Sequence, residues 1–218
     1  MTRPAPFLFD LDGTLADTLA DIAASANHVR EVHGLPAAPL AVVRSFVGDG
    51  ARTLLRRALA DVLPADAAAT ERAIDAAFAC YAEHHAAQCT RTVRAFPGVR
   101  DHLASLRAAG HGLAVVTNKP ERFAVAIVQH LGLHDLLAVV IGGDTLPLRK
   151  PDPAPLALAL ARLGGGVAGT MVGDGVQDLR AGKALGLRTV ACLFGYGEPA
   201  RLRAEGADAF WSAFGIAE

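Results

Sequence analysis

Within the first fifteen residues an apolar run ends in two carboxylates, Phe7-Leu8-Phe9-Asp10-Leu11-Asp12-Gly13-Thr14. Three consecutive hydrophobic residues between Pro6 and the turn at Gly13 fit a short strand buried on both faces, the pattern of a parallel sheet. Alternation along an extended chain points Asp10 and Asp12 the same way, into one pocket. The carboxyl end of such a strand is where open α/β sheets bind ligands. Two like charges a few ångströms apart repel, so a cation lies between them or one carboxyl keeps its proton. Both devices suit chemistry on phosphate: magnesium held by oxygen ligands, one ionised Asp as nucleophile, one protonated Asp as acid. The competing reading is a plain turn in which Thr14 caps the next helix, and the downstream residues decide between the two.

Downstream, spacings of three and four (Leu15, Leu19, Ile22, Ala26, Val29) predict a helix over 15–33, stopped by Gly34. Pro36 and Pro39 open a further segment. Gly48-Asp49-Gly50 separates it from a helix over 51–63, carried by Leu54, Leu55, Ala58 and Leu59 and broken by Pro64. An Ala-rich stretch with Ile74, Phe78 and Tyr81 on one stripe predicts a long helix over 66–88. No strand is expected from 15 to about 90. After Pro97-Gly98 the pattern alternates: helices over 99–109, 121–131, 153–163 and 176–185, strands over 113–116, 137–141, 170–172 and 188–192, and a last short strand at 209–211. Strands alternating with helices of this length imply right-handed βαβ units and a parallel sheet, with the helical block inserted after its first strand.

Composition narrows the class. With 218 residues at 52% hydrophobic, the chain can bury a full core. A net charge of -1 gives no basic footprint for nucleic acid. The apolar runs fall short of a membrane span, and the run after Arg3 is too short for a secretory signal. Cys80, Cys89 and Cys192 form no CxxC pair, so reduced thiols in a cytoplasmic protein are expected. No sequence feature calls for a protein partner beyond a monomer or homodimer.

The remaining strand ends carry polar groups. Thr117-Asn118 offers a hydroxyl and an amide that can donate to a phosphoryl oxygen, or serve as cap chemistry before the helix after Pro120. Lys150, in Lys150-Pro151-Asp152-Pro153, is either a cation for phosphate and carboxylate or a solvated lysine beside Arg149. Gly173-Asp174-Gly175-Val176-Gln177-Asp178 spaces Asp174 and Asp178 four apart, so a helix beginning between them turns both carboxylates to one metal pocket. Its Gly173-x-Gly175 fails as a dinucleotide fingerprint, because Asp178 stands at the third small position and the strand is a late one. No P-loop is present. His84-His85 reads as a surface pair, since adjacent residues on a helix do not face one ligand.

Taken in order, Asp10-x-Asp12-Gly-Thr, Thr117-Asn118, Lys150 and Gly173-Asp174-x3-Asp178 resemble the motifs of the haloacid dehalogenase superfamily over the whole chain. More locally, Val47-Gly-Asp-Gly50, Phe96-Pro-Gly-Val99, Val116-Thr-Asn-Lys-Pro-Glu-Arg122 and the stretch 139–155 look like bacterial phosphoglycolate phosphatases. Two positions depart from that pattern: Gly175 where Ser is usual, and Asp49 where Asn is common.

The resemblance implies an α/β fold, with a Rossmann-like parallel sheet core flanked by helices (1–14 and 91–218) and an inserted all-α cap domain (15–90). It implies a magnesium-dependent phosphomonoesterase. Asp10 is then the nucleophile that forms an aspartyl-phosphate, and Asp12 the general acid and base. Magnesium is held by Asp10, the Asp12 carbonyl and Asp174, with Asp178 in support; Thr117, Asn118 and Lys150 hold the phosphoryl group. Manganese and cobalt fit the same oxygen ligands. The implied substrate is 2-phosphoglycolate, with Arg52 as the expected cap partner for its carboxylate. A sugar phosphate of the muramic-acid 6-phosphate type, or a nucleotide, is the alternative on the same scaffold. A phosphorelay receiver domain is a remote one, because it explains neither the helical insert nor Asp12, Asp174 and Asp178.

Overall fold

The computed structural model describes residues 4–164 and 168–218; Arg3, with the rest of 1–3, and 165–167 lie outside the described residues. The chain runs through β1 (Phe7–Phe9) and β2 (Ala16–Asp17) into four helices, α1 (Leu19–Val32), α2 (Leu40–Arg44), α3 (Ala51–Ala58) and α4 (Ala67–Gln88), and returns through β3 (Arg94–Ala95). Helices and strands then alternate: α5 (Val99–Ala108), β4 (Leu113–Val116), α6 (Glu121–His130), β5 (Val139–Ile141), α7 (Ala154–Arg162), β6 (Thr170–Gly173), α8 (Val176–Ala184) and β7 (Arg188–Cys192). The chain ends with α9 (Pro199–Glu205), β8 (Ala209–Ala213) and β9 (Ile216–Ala217).

The main sheet has the order β5-β4-β1-β6-β7-β8-β9, parallel throughout except where β9 turns back on β8. Phe7 is in register with Leu113 on one side and Thr170 on the other, so β1 is central. Its residues alternate between two apolar layers, as a strand covered on both faces requires. Phe9 joins Val115, Val172 and the inner residues of α5 and α6, whereas Leu8 joins Val116, Met171 and the inner residues of α7 and α8. Successive connections leave β1 in opposite directions, first to β4 and β5, then to β6 and β7. The strand order therefore reverses at β1, where ligand sites form at the carboxyl ends.

Helices α1 to α4 close around an apolar cluster of their own, which includes Val29, Leu55, Ile74 and Tyr81 and takes in Phe123 from α6. Asp66 caps α4, its carboxylate accepting from Ala69 N at 2.7 Å, so the expected start of that helix holds within a residue. The expected helix over 15–33 starts later. Ala16–Asp17 pairs antiparallel with Arg94–Ala95, so the stretch 15–90, read as free of strands, contains β2. That pairing depends on a residue far along the chain and leaves no local pattern. Helix α3 ends at Ala58, five residues before the expected end at 63. Among the described residues no helix is long and apolar enough to cross a membrane, and the three cysteines are free.

Candidate active site

Asp10 follows β1, Thr117 follows β4 and Asp174 follows β6, so the parallel register delivers three polar side chains to one edge of the sheet. The ladder continues one step beyond each of the first two strands: Asp10 N donates to Val172 O and Thr117 N to Ile141 O, both at 2.9 Å. Above them lies a cavity of about 450 Å³. Asp10, Asp12, Thr117, Asn118 and Asp174 line it from below, and Arg44, Gly48, Leu54 and Tyr81 from the helical block.

Asp10, Asp174 and Asp178 bring one carboxylate oxygen each within 4.8 Å of one another, and all three side chains are buried. Lys150 lies beneath them, also buried, with its Nζ 2.6 Å from Asp178 Oδ1 and 3.1 Å from Asp10 Oδ1. Those are ion pairs without hydrogen-bond alignment: Nζ donates instead to Val116 O at 2.6 Å, and both Oδ1 atoms remain without a hydrogen-bond donor. Three buried carboxylates thus face one ammonium. Burial, then the charges of Asp10 and Asp178, push the Asp174 carboxyl up to about 8. Burial likewise pushes Asp178 up to about 7, against the opposing pull of Lys150. Burial alone would lower the Lys150 pKa, but the charges of Asp10 and Asp178 raise it. Excess negative charge, orphaned carboxylate oxygens and an all-oxygen donor set fit a hard divalent cation.

Asp12 has a different surrounding. Its carboxylate is not part of that cluster and accepts from Thr18 Oγ1 at 2.6 Å and from Lys119 Nζ at 3.1 and 3.3 Å. The chain does not stay extended past Phe9, where β1 ends, yet Asp10 and Asp12 still reach the same cavity. Gly13 makes the turn just after Asp12 with φ of 82°, and a Cβ there would stand 2.2 Å from Asp174 Oδ2. Thr14 does not cap the next helix; its hydroxyl donates to Asp174 Oδ1 at 3.1 Å, and Thr18 occupies the N-cap of α1. Asp174 is held further by Tyr196 N, which donates to Oδ2 at 2.6 Å.

Two of the expected site residues have their side chains engaged within the protein. The Asn118 carboxamide donates to Lys150 O at 2.9 Å and Gly48 O at 3.0 Å, so its side chain joins the two motif loops to the helical block. Arg52 does not line the cavity; its guanidinium pairs with Asp75 at 2.6 Å and Glu71 at 3.3 Å on α4. Helix α3 turns that side outward because Leu54 and Leu55 are buried in the helical cluster. Asp49 pairs with Arg57 at 2.5 Å, which neutralises the charge that departs from the usual Asn. His85, expected at the surface, is buried against Tyr81 and Phe123, with Nδ1 2.9 Å from Ser25 Oγ.

The cavity lining also holds residues that sequence reading missed, among them Lys119, Arg44, Gln177 and Tyr196. Lys119 could have been found, since it directly follows Thr117-Asn118 at a strand end. Arg44, whose Nη2 donates to Gly195 O at 2.6 Å and Nε to Tyr196 O at 3.2 Å, comes together with the 195–196 loop only through tertiary packing.

The sequence pattern of the haloacid dehalogenase-like hydrolases matches residues 7–192. The chain belongs to this family. A phosphoglycolate phosphatase of Pseudomonas putida is 39% identical over 208 residues, 94% of this chain and 75% of that protein. One of Chromobacterium violaceum is 40% identical over 200 residues, covering 90% of this chain and 88% of that protein. Among solved structures, a predicted phosphoglycolate phosphatase from Haemophilus somnus superposes with a TM-score of 0.85 at 29% identity, over 98% of this chain and 96% of that one. A haloacid dehalogenase-like family hydrolase from Streptococcus pneumoniae, 23% identical, shares the fold with a TM-score of 0.81 over 96% of this chain and 94% of that one.

Proposed function

We propose that this phosphoric monoester hydrolase converts 2-phosphoglycolate to glycolate and phosphate through an aspartyl-phosphate, with magnesium as its cofactor. The observation that carries the mechanism is the separation of two kinds of carboxylate on one cavity floor. Asp10 sits in a buried cluster with Asp174 and Asp178, and Asp12 is held apart by Thr18 and Lys119. The substrate rests on the two relatives named above, which are phosphoglycolate phosphatases at 39% and 40% identity.

An Asp10 oxygen attacks phosphorus in line and forms an O–P bond as the bond to the glycolate oxygen breaks; Asp12 gives its proton to that leaving oxygen. Water then attacks phosphorus, Asp12 takes its proton, the Asp10–phosphorus bond breaks and inorganic phosphate leaves. Lys150 and Thr117 hold the phosphoryl oxygens as charge shifts between them. The carboxylates of Asp10 and Asp174 and the carbonyl of Asp12 would hold the magnesium, with Asp178 in support. When bound, the ion neutralises the carboxylates and the phosphoryl oxygens.

In this reading residues 1–14 and 91–218 form the catalytic core and 15–90 a cap that chooses the leaving group. The cation facing the substrate carboxylate passes from Arg52 to Arg44, which lines the cavity. The three free thiols support a cytoplasmic enzyme. The test is phosphate release from 2-phosphoglycolate, hexose phosphates, a muramic-type 6-phosphate and nucleotides, with magnesium and then with chelator. A lead for phosphoglycolate of orders of magnitude in kcat/KM, lost on chelation, is expected. A leading sugar phosphate or nucleotide would move the substrate and leave the mechanism in place.

A further inference from the structure

Gln177 lies between the core and the helical block. It is the second residue of α8, only 9% exposed, and lines the cavity whose floor holds Asp10 and Asp174. Its carboxamide makes no hydrogen bond among the described residues. An amide carries two donors and an acceptor, and those of Gln177 are not among the buried unpaired polar atoms, so they stay open to the cavity and available to a ligand there. The backbone makes room for this arrangement at two glycines. A Cβ at Gly175 would stand 2.1 Å from Gln177 Nε2, and one at Gly48, on the loop before α3, would stand 3.0 Å from the same atom. The carboxamide therefore occupies the space that a side chain at 175 would take, the position where the phosphoglycolate phosphatases named by resemblance usually carry Ser.

We infer that Gln177 is a specificity-determining residue that hydrogen-bonds the non-transferred end of the substrate, and that Gly175 is present to admit it. The inference rests on the phosphomonoesterase reading above and adds the group that reads the leaving alcohol. Phosphorus is served by the carboxylate cluster, Lys150 and Thr117. Gln177 lines the same cavity beside Gly48 of the helical block, the part to which this reading assigns the choice of leaving group. Its N–H groups donate to a carboxylate such as that of glycolate. Its unused acceptor adds selectivity for a leaving group that also offers a hydroxyl.

The test compares 2-phosphoglycolate with p-nitrophenyl phosphate, whose leaving group offers no carboxylate, in wild type, Gln177→Ala and Gln177→Glu. Losing a hydrogen bond to a charged group is expected to cost Gln177→Ala about 10- to 100-fold in kcat/KM for phosphoglycolate, mainly through KM. Turnover of p-nitrophenyl phosphate stays within about threefold. Gln177→Glu loses more on phosphoglycolate, because like charges then meet. Gly175→Ala, which displaces the carboxamide, and Gln177→Ala should have effects on the ratio of the two substrates that do not add. Equal losses on both substrates, or none on either, would overturn the inference while leaving the mechanism standing. If wild type does not turn over phosphoglycolate, the substrate reading fails by itself. The same comparison is then run with the best phosphomonoester of the panel, where selective loss supports the role of Gln177 and uniform or absent loss refutes it.

Discussion

Asp10 and Asp12 are two residues apart and differ in role because they differ in neighbours. Replacing Asp10 by Asn keeps the shape and removes the nucleophile, so turnover should fall by several orders of magnitude with thermal stability retained; appreciable activity in the purified variant would refute the assignment. Lys119 faces Asp12 with 4% of its side chain exposed. Lys119→Met should lower kcat by roughly 10- to 100-fold, the range of a positioned acid–base group, with circular dichroism unchanged; an unaltered kcat would show that Asp12 works without it. His85 bears on stability. Burial, then the charge of Lys119, push its imidazole down to about 2. Below the ordinary imidazole value of about 6.5 the unfolded chain takes up a proton that the folded chain refuses, so this contribution is present above that pH and is lost as pH falls. The loss is about 1.4 kcal/mol per pH unit, and urea titrations at pH 6.5 and 5.0 should show a steeper decline for wild type than for His85→Phe.

Among the elements, those with local signals were read well. The strand Leu113–Val116 is an apolar run and Arg188–Cys192 a short Thr-Val-containing stretch after Gly186, and the limits of both were predicted. Helix α4 carries its own start signal in Asp66, and Asp66→Ala should cost about 1 kcal/mol in denaturant unfolding without altering kcat/KM. The elements that were missed, β2, β3 and β9, are two residues long, too short for any period to register, and exist through pairing with distant or returning chain. Helix α9 went unread at seven residues, with Leu202 as its buried contact.

For the whole molecule, the central position of β1 gathers the carboxylates, because strands on either side deliver their ends beside Asp10. The cluster that results is overcharged in the absence of a cation. Magnesium at about 100 times its dissociation constant should therefore stabilise the fold by about 2.7 kcal/mol, seen as a melting shift of several degrees. Chelation should remove both that shift and the activity, and Asp174→Asn should show little shift; equal shifts in both proteins would place the ion elsewhere.

By itself the sequence determined the parallel α/β order, the inserted helical block and the candidates Asp10, Asp12, Thr117, Lys150, Asp174 and Asp178, because all but Lys150 stand just after an apolar strand or in the first turn of the next helix, and Lys150 stands in a proline-marked turn between β5 and α7. Burial, hydrogen bonding and partner choice were decided by tertiary structure. Arg52 and Arg44 are alike as charged residues on short helices. The first faces α4 and its acids, and the second meets the 195–196 loop beside the cavity. Lys119 and Gln177 reach the cavity because β4 and α8 are brought under the helical block, a contact that forms between segments far apart in the chain and that no local spacing records.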